Sequence, residues 1–279
     1  INQKGRFSMA LFHVGFISYT LKREVDMNVI IPTCTIPESM GLGGATPTHK
    51  HKAPFPVLYL LHGFGNNYSV WGRYTNVERY AEERQIAVVM ISGENKAYRN
   101  QPDGGNLLGG GDKHFDFLSK EVPEFVQANF PVSTRPEDTY IAGLSMGSMG
   151  SLLHSLTNPE QYCAVGSFSG PLMRMDMDRS KEYTDEQLRE MVALEGVELV
   201  KKGKAEGKHF PKYYVSTGIR DGLNRAKAFA RFLTENGIEV TTNFEKDYAH
   251  EWRCWEENIE EFLDWLPRTD AYAGSMRQI

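Results

Sequence analysis

Residues 139–156, TYIAGLSMGSMGSLLHSL, begin as a short apolar run of strand length and continue as a segment of helical length. Between the two, Gly143-Leu144-Ser145-Met146-Gly147 places a serine in the pattern Gly-x-Ser-x-Gly. A strand that turns this sharply into a helix leaves no room for side chains two residues either side of the serine. It also exposes the serine hydroxyl at the top of a sheet. A tight turn that merely needs small residues would look the same, so the partners of Ser145 must decide its meaning.

Working outward, the same alternation repeats. FPVLYLLHG (55–63), IAVVMIS (86–92), AVGSFSG (164–170), KYYVSTG (212–218) and EVTTNFEKDY (239–248) are rich in β-branched and aromatic residues and read as strands. Helical candidates lie between or after them at 74–84, 114–129, 147–157, 222–236 and 252–265. LFHVGFISYTL and EVDMNVIIP come first, with too little between them for a crossover helix, and so read as an antiparallel pair. The expectation is an α/β fold with a mixed, mostly parallel central sheet covered by helices on both faces.

Two stretches interrupt the repeat: a Gly/Pro-rich loop at 33–54, and a charged, helix-prone insertion at 171–210 that begins at the carboxyl end of a strand. Ligands of open α/β sheets bind outside those carboxyl ends, so the insertion is placed to act as a small cap or lid over the site. The reading is one domain over 9–267, preceded by an extension (1–8) and followed by a C-terminal tail (268–279).

The 279 residues are 41% hydrophobic and 24% charged, enough to bury a large core. A net charge of -5 with scattered Lys and Arg argues against a nucleic-acid partner. No apolar run approaches the roughly 20 residues of a membrane span. Three cysteines without C-x-x-C spacing suggest neither a disulfide framework nor a zinc site and fit a reducing, cytoplasmic setting; secretion stays open, since a removed leader would be invisible. His49 and His51 in THKHK lack the third ligand that a stable metal site needs. The broad apolar face of 252–267 suits the sheet by default, or a second copy in a homo-oligomer.

A nucleophilic serine needs a base, an acid to orient the base, and backbone N–H groups for the developing oxyanion. When the serine comes first, the acid should follow a late strand and the histidine the last one. Asp221 follows KYYVSTGIR, and His250 follows EVTTNFEKDYA. Asp221 would also suit a helix N-cap, and Asp247, three residues before His250, is the competing acid. His13, His114, His154 and His209 read as core or surface residues. Met146, after the serine, and Phe64, in the LYLLHGFGNN loop, are the two oxyanion donors, with Gly65 as the alternative to Phe64.

PVLYLLHGFGNNYSVW, ERYAEE, TYIAGLSMGSMGSL and HEWRCWEENIEEFLDWLP, in that order, resemble the tributyrin-esterase-like carboxylesterases, relatives of esterase D and S-formylglutathione hydrolase. That branch of the α/β-hydrolase fold also includes feruloyl and acetyl-xylan esterases of carbohydrate esterase family 1. The resemblance covers Met9 to about Pro267. It implies Ser145, Asp221 and His250 as catalytic residues, Phe64 and Met146 as the oxyanion hole, and no cofactor or metal. It further implies a small-molecule or carbohydrate-linked ester as substrate, and aromatic substrate contacts at Trp71 and Trp252. Two departures stand out: Ser148 and Ala249 occupy positions where the family usually has glycine. The expected activity is a serine carboxylesterase acting on short-chain or aromatic acyl esters. The alternatives are a feruloyl or acetyl-xylan esterase, a thioesterase, and a hydrolase-fold binding module without activity.

Overall fold

The computed structural model describes residues 9–44, 46–101, 112–174 and 181–274. Eight strands form one sheet: β1 (Met9–Ser18), β2 (Arg23–Pro32), β3 (Val57–Leu61), β4 (Ala87–Ile91), β5 (Thr139–Leu144), β6 (Ala164–Phe168), β7 (Lys212–Ser216) and β8 (Val240–Asn243), in the order β1-β2-β4-β3-β5-β6-β7-β8. β1 pairs antiparallel with β2, and β2 with β4; all other pairings are parallel. This is the mixed sheet of the α/β-hydrolase fold, as expected. Residues 1–8 and 275–279 lie outside the described residues, as does 175–180 of the insertion.

Every residue of β3, β4 and β5 is buried, because helices cover both faces. The pleat divides β3 between two cores: Val57, Tyr59 and Leu61 face one, Leu58 and Leu60 the other. The described helices are α1 (Ile36–Ser39), α2 (Val70–Tyr74), α3 (Val77–Arg84), α4 (His114–Asp116), α5 (Val122–Asn129), α6 (Met146–Thr157), α7 (Asp185–Glu190), α8 (Leu194–Ala205), α9 (Leu223–Glu235) and α10 (Trp252–Trp265). α10 covers the sheet, burying Cys254, Trp255, Ile259, Phe262 and Leu263 in the second core.

Three expected elements differ in their details. The helix expected over 74–84 starts only at Val77, as α3, because the preceding short helix α2 ends at Tyr74. The 114–129 helix is interrupted by a π-helical turn over Phe117–Glu121 that leads into Pro123 in the first turn of α5. Proline has no N–H to give to the carbonyl of Ser119, which instead accepts from Gln161 Nε2 at 3.1 Å. The last strand stops at Asn243, five residues short of the expected Tyr248. Its continuation crosses the loop after β7: the N–H of Ile219 donates to Lys246 O (2.9 Å) and that of Arg220 to Tyr248 O (3.1 Å). A Cβ on Gly218 would stand 2.1 Å from Tyr248 O, so only glycine admits the crossing. This departure from the sheet carries His250 toward Asp221.

The insertion closes on itself: Met173 bridges Val192, Arg174 N–H donates to Met191 O, and Ala193 N–H donates to Leu172 O. α7 then packs on α9, and α8 on α6. Residues 268–274 also dock, with the Tyr272 ring stacked on Phe55 at 4.9 Å and its hydroxyl donating to Ala53 O at 2.6 Å.

Candidate active site

The chain leaves β3 for β4 on one side and reaches β5 on the other, so the sheet reverses its winding between β3 and β5. A crevice opens outside the strand ends at such a point. The loop after β3 carries Phe64, and the turn after β5 carries Ser145. Ser145 has φ 52° and ψ -116°, a backbone conformation that a non-glycine residue keeps only when its surroundings enforce it. Those surroundings are glycines. A Cβ on Gly143 would lie 2.5 Å from the backbone of Gly147, and one on Gly147 would lie 2.5 Å from Leu61 O. Both contacts are with main chain, which cannot move aside.

His250 Nε2 lies 3.0 Å from Ser145 Oγ, and His250 Nδ1 lies 3.0 Å from each carboxylate oxygen of Asp221. An ionised Asp221 fixes the proton on Nδ1 and leaves the Nε2 lone pair facing the serine hydroxyl. Burial alone would raise the carboxyl of Asp221. Hydrogen bonds from His250 and Ser169 outweigh it, with help from the charges of His250 and Arg225, and hold the pKa below the ordinary 3.8. Asp221 does not cap α9, whose N-cap is Gly222 in the left-handed region. Asp247 turns outward, and its carboxylate pairs with Arg220 at 2.8 Å.

Ser169 was not singled out from the sequence. Its φ is 57°, and its hydroxyl accepts from the buried Trp255 indole N–H at 3.0 Å while donating to Asp221. Its one legible signal is its position in SFSG, at the carboxyl end of β6. Ser148, standing where the resembling family has glycine, bonds Ser167 Oγ and Gly170 O, both at 2.7 Å. It thereby ties the turn that carries Ser169 to α6.

On the β3 loop, His62 is buried and serves the backbone: Gly93 N–H donates to its Nε2 (2.8 Å), and its Nδ1–H donates to Gly63 O (2.7 Å). Burial lowers its pKa and keeps the ring neutral, as that bonding pattern requires. The amide of Gly65 donates to Asn95 Oδ1 at 2.6 Å. Phe64 is 71% exposed, and Met146 opens α6 as its first residue.

A cavity of about 350 Å³ opens over Ser145, Asp221 and His250, and Pro171, Met173 and Arg174 at the start of the insertion supply one wall. Trp71 and Trp252 are not among its lining residues. Trp71 is 1% exposed; its indole N–H donates to Leu61 O and its ring packs against Phe168. Trp252 stacks on Tyr74 at 4.8 Å and meets Trp71 edge-on. His154 and His114 are buried in the body of the protein, and His51 packs edge-on against Phe55. Among the described residues no helix is long and apolar enough to cross a membrane.

Three similarities bear on this geometry. The acetyl esterase of Caldicellulosiruptor saccharolyticus is 26% identical over 276 residues, covering 93% of this chain and 99% of that protein. The fluorophosphonate-binding serine hydrolase FphF of Staphylococcus aureus, solved with bound substrate, shares the fold with a TM-score of 0.75 and 24% identity, over 94% of this chain and 99% of that one. The S-formylglutathione hydrolase FrmB of the same organism gives a TM-score of 0.73 and 25% identity, over 93% and 99% of the two chains. Residues 35–265, from the capped helix α1 through β3 and the Ser145 turn to the end of α10, match the family model described as "Putative esterase", and the chain belongs to that family.

Proposed function

We propose that this chain is a serine carboxylesterase in which Ser145 is the nucleophile, His250 the general base and Asp221 the acid that orients it. The observation that carries the reading is the pair of 3.0 Å contacts running from Ser145 Oγ through the imidazole to a carboxylate kept ionised by its surroundings. His250 Nε2 takes the hydroxyl proton as Oγ bonds to the ester carbonyl carbon. The oxyanion that forms is held by the amides of Met146 and Phe64; Gly65 is the weaker candidate because its N–H is already given to Asn95. Collapse of the tetrahedral species breaks the bond from carbon to the alcohol oxygen, and His250 returns the proton to that oxygen. Water then repeats the sequence on the acyl-enzyme and releases the acid, so the reaction calls on protein groups alone.

A short acyl group fits better than a feruloyl ring. Trp71 and Tyr98, two aromatics that could have formed a platform, are 1% and 0% exposed, and Ser, Met, Gly, Pro, Arg, Asp and His make up the described cavity lining. The acetyl esterase relative points the same way. The test compares 4-nitrophenyl acetate, butyrate and octanoate with methyl ferulate, on the native chain and on Ser145→Ala. Native turnover should be fastest with the shortest esters and should fall by several orders of magnitude in the variant. A variant as active as the native chain would end the serine mechanism. Methyl ferulate as the best substrate would replace the short-chain preference with a feruloyl one.

A further inference from the structure

The cavity that holds Ser145 and His250 is also lined by two guanidinium groups, Arg174 and Arg225, against one carboxylate, Asp221. The carboxylate is itself committed, since both oxygens contact His250 Nδ1 and Ser169 donates to it as well.

Arg225 is half-buried, and among the described residues it has no carboxylate within ion-pair distance. By contrast, Arg220 pairs with Asp247, Arg84 with Asp264, Arg268 with Asp270 and Arg99 with Glu195, whereas Arg73 and Arg253, which have no ion pair among the described residues either, are exposed to solvent. The guanidinium of Arg225 is folded over Gly222 so closely that a Cβ there would stand 2.6 Å from one Nη and 3.0 Å from Nε. Gly222 therefore does two things. Its left-handed φ of 69° starts α9, and its missing side chain lets the guanidinium lie beside the catalytic groups instead of extending into solvent. A half-buried planar fork of N–H donors facing a cavity has a carboxylate as its natural complement.

We propose that this cavity selects esters that carry a carboxylate group, with Arg225 as the residue that binds it. A bound carboxylate also offsets the imidazolium that forms on His250 while the serine attacks, which the guanidinium of Arg225 would otherwise disfavour. The proposal rests on the esterase reading of the same site and adds the substrate's charge to it. Arg225 acts as a specificity-determining residue and takes no part in proton transfer.

The experiment measures kcat/KM by proton release for two matched pairs: monoethyl succinate with ethyl butyrate, for a carboxylate on the acyl side, and 4-acetoxybenzoate with its methyl ester, for one on the alcohol side. Each ester is compared between the native chain, Arg225→Gln and Arg225→Lys, so its intrinsic reactivity cancels. In at least one pair, Arg225→Gln should lower the ratio of anionic to neutral kcat/KM about tenfold or more, mainly through KM. Arg225→Lys should restore part of it. In the native chain, about 0.5 M NaCl should erode the same ratio, a readout that needs no variant. The pair that responds identifies the side of the ester that carries the charge. Equal losses for both members of both pairs, or a ratio indifferent to salt, overturn the proposal and reduce Arg225 to a structural residue. If Ser145→Ala keeps full activity on every ester, the esterase reading fails instead.

Discussion

Two regions meet at His250 Nε2, and they are built in different ways. The serine side, from β3 through the β5 turn into α6, is fixed by main chain against main chain: Gly143 on Gly147, Gly147 on Leu61 and His62, Gly170 on Ser145 O. The side that carries Asp221 and His250 is fixed by side chains on two crossing loops that leave the sheet after β7 and β8. His250 is 48% exposed there, and its position depends on Asp221, Ser169 and Trp255. A site made of steric contacts tolerates almost no added volume, whereas one made of hydrogen bonds yields in steps, a bond at a time. Ser145 is thus held in a strained conformation by a rigid wall, while the contacts of Asp221 and His250 are tuned by hydrogen bonds.

Substitutions can break this contrast or sharpen it. The largest effect after loss of the serine itself should come from Asp221→Asn, which removes the charge that sets the imidazole tautomer. Turnover of 4-nitrophenyl acetate should drop on the order of 10⁴-fold. Asp247→Asn is its internal control and should stay within about twofold, since that carboxylate only pairs with Arg220 on the surface. Reversed magnitudes would move the acid to Asp247.

Gly147→Ala attacks the wall. The added methyl meets Leu61 O at 2.5 Å and His62 O at 2.7 Å, and neither can retreat without dislodging β3. We expect a loss of about 3 kcal/mol in urea unfolding. A stability unchanged within error would show that the turn is softer than its contacts imply.

Ser169→Ala acts on the tuned side and should have a smaller effect than either Asp221→Asn or Gly147→Ala. Removing the hydroxyl deletes one of the bonds that lower the Asp221 pKa, so turnover should fall about tenfold at neutral pH. The sign of the pH effect follows from the lowered folded pKa. Asp221 contributes stability that is fully present above its ordinary 3.8 and is lost as pH falls through the lower folded value. Raising that folded pKa in Ser169→Ala moves the loss to higher pH, and the acid-unfolding midpoint should rise. A midpoint that stays put would mean that His250 alone holds the carboxylate ionised.

Much of this was legible in the chain itself. Strand and helix alternation, the antiparallel entry at β1 and β2, and the Gly-x-Ser-x-Gly turn follow from residue types at short spacing, where backbone sterics and periodicity act locally. Asp221 and His250 were singled out because each follows a late strand, a matter of order along the chain. Trp71 and Trp252 could not be assigned that way, because an aromatic side chain suits a core and a pocket equally well. Only packing places Trp71 at 1% exposure.

What the sequence by itself determined was the order of the elements and which residue types stand at the strand ends, because both are set by neighbours within a few positions. What only the tertiary structure decided was which of those ends meet. The early end of β8, the crossing over Gly218 that brings His250 to Asp221, the bond from Trp255 through Ser169, and the fold of Arg225 over Gly222 all join residues whose partners are chosen by packing in three dimensions. No local pattern encodes such contacts, since each depends on where the rest of the chain has already gone.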